Sequence, residues 1–252
     1  MDKRYGRVKW GPQGTRERTG ASNWRKPLQW NKQTWEECTE CGWRGPRHET
    51  HDFCPNCDGE DLRPTRQRVF CASLADVFED NPQLTEWRVD LFRMLVHTPN
   101  LDWLLLTKRP ENIMPMLDSM GWPSLMDNVW IGTSVEDQDA AKRLGHLLMV
   151  PAKVHFISAE PLLGEINISR WLGNRPDMWP ENGVNWVIVG GESGKSARPM
   201  QIEWARSLRD QCQAAGVAYF FKQLGGVVDK RHDLEDMPED LRIREFPQAV
   251  TA

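Results

Sequence analysis

Four cysteines in two C-x2-C pairs, Cys38/Cys41 and Cys54/Cys57, stand twelve residues apart and constrain this chain more than any other feature. Each pair forms a knuckle, and two knuckles bring four thiolates around one tetrahedral ion. Zinc is favoured over mononuclear iron by ligand type and by commonness. With four thiolates in place no coordination position stays open, so the metal is expected to be structural. Gly42 and Gly59 follow the two knuckles, where tight turns call for glycine. His48 and His51 lie between the pairs as competing ligands that four thiolates make unnecessary. The other two cysteines, Cys71 and Cys212, fall in an apolar run and on an apolar helical face, as core residues do. In a secreted chain six cysteines would read as three disulfides. The paired spacing and the N-terminal MDKRYGRVKW, which has no apolar signal stretch, point instead to reduced thiols in a cytoplasmic protein. No apolar run approaches the roughly 20 residues that cross a bilayer, so no membrane association is expected.

Composition divides the chain into four segments: an irregular arm over 1–37, a zinc ribbon over 38–66, an α/β region over 67–226 and a tail over 227–252. Residues 1–32 carry nine Lys and Arg against two Asp and Glu, a net +7 in a chain whose total is -4. Trp10, Trp24, Trp30 and Trp35 are interleaved with those cations. Cations mixed with flat rings suit single-stranded nucleic acid, through phosphate neutralisation and stacking, which makes residues 1–35 a candidate nucleic-acid or protein contact. The plainer reading is a solvated arm whose tryptophans pack on the rest of the chain.

Short apolar runs follow at 69–74, 103–107, 129–134, 154–158, 186–190 and 218–222. Each is apolar on both alternating faces, as buried parallel strands are. Helical faces lie between them: Trp87, Leu91, Phe92, Leu95 and Val96; Ala140, Leu144, Leu147 and Leu148; Trp204, Leu208, Cys212 and Ala215, with Gly216 as a stop. The later runs recur every 25 to 32 residues, the length of one βα unit. Six units fit a partial (βα)6 TIM-like barrel, with a doubly wound sheet as the alternative.

In parallel α/β folds ligands gather at the carboxyl ends of the strands. Every run here ends in polar residues: Ser73 and Asp76; Thr107, Lys108 and Arg109; Thr133, Ser134, Glu136 and Asp137; Ser158 and Glu160; Gly190, Gly191, Glu192 and Ser193; Lys222 and Gln223. Lys108 and Arg109 suit a carboxylate or phosphate, and Glu160 and Glu192 an amine, a ribose hydroxyl or acid–base work. The glycines at 190, 191 and 194 would let backbone approach a ligand closely and offer N–H groups to an anion. A bland role stands beside these, with Ser134 and Asp137 capping the next helix. No nucleophile elbow, metalloprotease helix or kinase-like set is present, which disfavours a metal-independent hydrolase or transferase.

The phrases VFCASLADVFED, LDWLLLTKRPENI, VWIGTSVEDQ, FISAEPLLG, WVIVGGESG, ARPM and FFKQLGG, in this order, resemble the phage gp thirty-seven / gp sixty-eight family of unknown function, also called the three-Cys-motif family. The resemblance implies a radical-SAM-like partial barrel with a zinc-ribbon-like insert before its first strand, in a phage or mobile-element setting. It places S-adenosylmethionine at the strand ends, among Thr107, Lys108, Ser134, Glu136, Glu160, Gly190, Gly191, Glu192 and Lys222. The family hallmark is three N-terminal cysteines before a Tyr-Ala-Glu phrase, but here no cysteine precedes Cys38. Residues 1–6 resemble the segment that follows that hallmark, so a shortened member is expected. A [4Fe-4S] cluster and S-adenosylmethionine are then expected only for a full-length member, and radical chemistry is not expected of the chain as written. Two functions follow: a radical-SAM-like enzyme, or a zinc-ribbon module that binds nucleic acid or a protein without catalysis.

Overall fold

The computed structural model describes residues 14–47, 52–71, 75–122, 124–174, 182–226 and 233–247. Trp10, His48, His51 and Ser73 lie outside them. Among the described residues no helix is long and apolar enough to cross a membrane. The chain forms two compact units, Met1–Leu104 and Leu105–Ala252, so the division falls inside a strand rather than at the compositional steps.

The first unit holds α1 (Ala21–Trp30), β1 (Trp35–Cys38), β2 (Arg44–Pro46), β3 (Leu62–Thr65), β4 (Gln67–Cys71), α2 (Thr85–His97) and the start of β5 (Leu101–Thr107). β1 is the centre of an antiparallel sheet of order β2-β1-β3, pairing Glu37 with Arg44 on one side and Cys38 with Leu62 on the other. The face that α2 buries is rotated from the expected one. Arg88, Phe92 and Leu95 point inward, while Val96 is exposed. Arg88 can be buried because its guanidinium donates to the carbonyls of Val77 (2.7 Å) and Glu79 (2.8 Å).

The second unit adds α3 (Ile113–Ser119), β6 (Val129–Ser134), α4 (Arg143–Leu147), β7 (His155–Ala159), β8 (Trp186–Gly190), α5 (Ile202–Ala215) and β9 (Ala218–Gln223). The larger sheet has the order β4-β5-β6-β7-β8-β9 and curls as a parallel half-barrel. Spatial order follows chain order throughout. A doubly wound sheet reverses its order at a switch point, so that alternative is excluded. Every residue of β6, β7 and β8 is buried, as their two-sided apolar sequences require. Gly216 ends α5 in the left-handed conformation, with φ 65°.

Part of the expected tail belongs to this unit. Phe221 N–H donates to the Ile243 carbonyl (2.8 Å) and Glu245 N–H to that of Tyr219 (2.9 Å). Residues around Arg244 thereby cover the edge of β9, which would otherwise present unpaired backbone groups. Trp186 anchors the same corner, its indole donating to the Glu245 carbonyl (2.9 Å) and its ring packing on Trp130, Phe156, Phe220 and Phe246.

His155, at the start of β7, is 3% exposed. Its Nε2 donates to the Val150 carbonyl (2.8 Å), while Nδ1 is buried with no hydrogen-bond partner. Burial holds its pKa below the ordinary histidine value. The unfolded chain therefore takes up a proton first as the pH falls. The stability tied to neutral His155 is full above about 6.5 and declines from there toward the lower folded pKa. We expect His155→Gln to flatten the dependence of the urea midpoint on pH between 5 and 7. An unchanged slope would show that other groups carry it.

Candidate functional site

The four ribbon cysteines converge. Their sulfur atoms all lie within 4.8 Å of one another, with Cys38 Sγ 3.7 Å from Cys57 and Cys41 Sγ 3.6 Å from Cys54. A tetrahedral ion with metal–sulfur bonds of about 2.3 Å separates its thiolates by about 3.8 Å, so the spacing fits one ion. The two knuckles repeat each other's backbone. Cys38 N–H bonds to the Trp43 carbonyl and Gly42 N–H to that of Cys38; Cys54 N–H bonds to the Gly59 carbonyl and Asp58 N–H to that of Cys54. The position after each second cysteine is left-handed, with φ 72° at Gly42 and 58° at Asp58.

In the second knuckle Asp58 therefore makes the turn expected of Gly59, since aspartate tolerates this region better than most residues. Gly59 instead lies beside the Glu40 side chain. A Cβ there would run into the Glu40 carboxylate, which accepts the Glu60 N–H (3.1 Å).

Asn56 donates to two of the sulfurs, from its side chain to Cys41 (3.4 Å) and from its backbone to Cys54 (3.4 Å). The Asn56 amide, then the Trp43 backbone, bring the Cys41 thiol down to about 6. At Cys57 the Gly59 N–H favours the thiolate. The neighbouring Cys41, burial, Cys38 and Cys54 outweigh it and push that thiol up to about 12. One thiolate forms readily and the last resists, because negative charge accumulates in a small volume. A bound dication offsets that repulsion, and metal binding would release protons. Cys71 and Cys212 stand apart as free thiols, which burial pushes up to about 11 and about 12. Cys212 is fully buried and Cys71 half-buried.

The second unit carries an open cleft of about 520 Å³ at the strand ends, where Lys108, Arg143 and Arg198 face Glu136, Asp137 and Asp139. Glu136, just past β6, is its pivot. One carboxylate oxygen pairs with Lys108, the other with Arg143 (2.8 Å), and its carbonyl accepts the Leu163 N–H (2.8 Å). Arg143 also donates to the Ser134 carbonyl (2.7 Å). Asp137, rather than Ser134, caps the following turn by accepting the Ala140 N–H (2.9 Å).

Of the nine residues expected to hold S-adenosylmethionine, Lys108 and Glu136 line this cleft, and the others have distinct roles. Thr107 is buried, its hydroxyl accepting the Arg109 N–H (2.9 Å) and its carbonyl accepting the Thr133 hydroxyl (2.8 Å). Glu160 pairs with Lys222 (2.9 Å) and accepts the Ser158 hydroxyl (3.2 Å). Glu192 is clamped by the Arg198 guanidinium (2.8 and 3.2 Å) and backbone N–H (2.9 Å), which hold its carboxyl below the ordinary glutamate value.

The N–H groups of Gly191 and Gly194 bond to the carbonyls of Gln223 (3.0 Å) and Gly226 (3.1 Å). Gly190 lies against Glu160, where a Cβ would come within 2.9 Å of Oε1. These glycines serve the close parallel approach of the segments that follow β8 and β9. Arg143 and Arg198 escaped the sequence reading. Arg143 sits beside Lys142 on a short helix, and ARPM carries no strand-end signature to mark Arg198.

In the first unit two arm cations are already matched. Arg16 pairs with Glu79, and Arg18 with Asp90 (2.8 Å) while lying 4.1 Å over the Trp24 ring. Among the described residues, the exposed Arg25, Lys26 and Lys32 make no ion pair.

Fold and site together define an α/β half-barrel protein with a four-cysteine metal-competent centre. The chain belongs to the family described as "Protein of unknown function (DUF5131)", whose match spans residues 2–245. No curated protein and no solved structure matches it.

Proposed function

We propose that the protein is a phage- or mobile-element-associated, radical-SAM-like half-barrel with a structural zinc ribbon and a strand-end cleft for S-adenosylmethionine or a close analogue. The observation that carries this reading is the cleft itself. Three cations and three carboxylates converge beside the ends of parallel strands, a charge pattern complementary to a ligand bearing both an amine and a carboxylate. The ordered resemblance across seven phrases supports the same class. Zinc suits the ribbon because four thiolates saturate a tetrahedral site. The ribbon cysteines do not fit a [4Fe-4S] cluster, since their sulfurs enclose the space of one ion.

Isothermal titration with S-adenosylmethionine and S-adenosylhomocysteine tests the cleft. Lys108→Ala, which removes an exposed cation and leaves Glu136 paired with Arg143, is expected to weaken binding about tenfold. Absence of binding at millimolar ligand would remove this occupant while leaving the zinc ribbon standing.

A second reading, a module that binds single-stranded nucleic acid through residues 1–35, is favoured by one observation. Arg25, Lys26 and Lys32 are exposed and unpaired among the described residues, close in sequence to Trp24 and Trp30. The two readings are compatible in one chain.

A further inference from the structure

α1 and α2 border a second cleft, of about 770 Å³, wholly within the first unit. Its volume lies inside the range of small-ligand pockets, about 300–1,000 Å³. Leu28 (42% exposed), Met94 and Ala21 give it an apolar wall beside the Trp24 indole. Arg25 stands on the α1 side and Arg93 on the α2 side, while Arg18 caps the Trp24 ring. Asp90 is the only carboxylate among the described lining residues, and it is already engaged by Arg18 (2.8 Å) and Arg93 (3.5 Å). Three arginines against one aspartate leave the cleft cationic over an apolar, aromatic floor.

We infer that this cleft seats single-stranded nucleic acid, with one base packed against Leu28, Met94 and the indole edge and the flanking phosphates on Arg25 and Arg93. The inference rests on the second reading above and gives it a location. Charge selects an anion, and the apolar floor selects one with a flat, weakly solvated body. A nucleotide strand combines both, whereas an acidic peptide supplies charge without a planar group to cover the floor. The two arginines flank the apolar wall from different helices, as phosphates flank a base. Lys26 and Lys32, exposed on and just after α1, add charge of the same sign.

Fluorescence anisotropy of the full chain with a labelled single-stranded oligo-dT, across a salt series, tests the inference. Salt-sensitive binding is expected. Arg25→Gln/Arg93→Gln should weaken it at least tenfold and lower the slope of log affinity against log salt by about 1.4, at about 0.7 per single-strand phosphate contact. Leu28→Gln, which keeps every charge, should weaken it severalfold. All three positions are exposed, and an unchanged melting midpoint verifies that the variants fold. Wild-type binding that the cleft variants leave intact would overturn the cleft and spare the arm reading. No binding at low salt would overturn both. Equal affinity for poly-glutamate would make the surface a general polyanion contact and overturn the nucleic-acid assignment.

Discussion

In a Cys54→Ser variant the bound metal, proposed to be zinc, is expected to fall from stoichiometric to negligible, and the β1–β3 sheet to lose its fold. Cys54 is fully buried, and so is Cys38; the described ribbon has no other buried hydrophobic residue. Its strands are three or four residues long, too short to hold together through their own ladders. A metal–thiolate centre would therefore take the place of a core, as small folds without enough apolar burial require. Structural zinc supplies on the order of 10 kcal/mol of apparent binding energy in comparable peptides, and that energy is folding energy. A serine hydroxyl is a poor substitute because it stays protonated near neutral pH. Metal analysis after dialysis and limited proteolysis across 38–66 check the result. Cys71→Ser, at a thiol outside the cluster, should keep both the metal and the protease resistance. Zinc retained by Cys54→Ser would refute the four-thiolate centre.

The same contrast explains what the sequence made legible. A metal ribbon is written in spacing, because ligand geometry demands two short-range pairs and tolerates a variable interval. Strands β5 to β8 were legible because burial on both faces forces continuous apolar runs, and β6 and β8 coincide with theirs, whereas β4 has no buried residue and β9 buries only alternate ones. Their monotonic order was not, since closure depends on which edges meet and periodicity is blind to that. Long-range partners were the other blind spot. Arg88 is buried only because the carbonyls of Val77 and Glu79 receive it, and its own helix gives no hint of them. Arg143 and Arg198 enter the cleft through the acids they hold, Glu136 and Glu192, which were themselves readable as strand ends. Asp58 took a turn that glycine seemed to claim, because the repeat of the knuckle backbone fixes which position must be left-handed.

Gly191→Ala is expected to destabilise the second unit by about 3 kcal/mol or more, against about 1 kcal/mol for Gly194→Ala. A Cβ on Gly191 would meet the Leu224 carbonyl, with the Gly225 nitrogen 3.2 Å away, and neither is a flexible side-chain end. Nor can the strands part to make room. Gly191 N–H donates to the Gln223 carbonyl (3.0 Å), and the Gln223 side chain returns a bond to the Gly191 carbonyl (2.7 Å). Gly194 has φ 123° but open space around its Cβ position, so only backbone strain is added there. Urea denaturation of the two variants measures the difference. A large loss at Gly191 means that glycine is required for the segments after β8 and β9 to lie this close. Near-normal stability with loss of S-adenosylmethionine binding would mean the opposite: the position is kept bare for a ligand, and the close approach can yield.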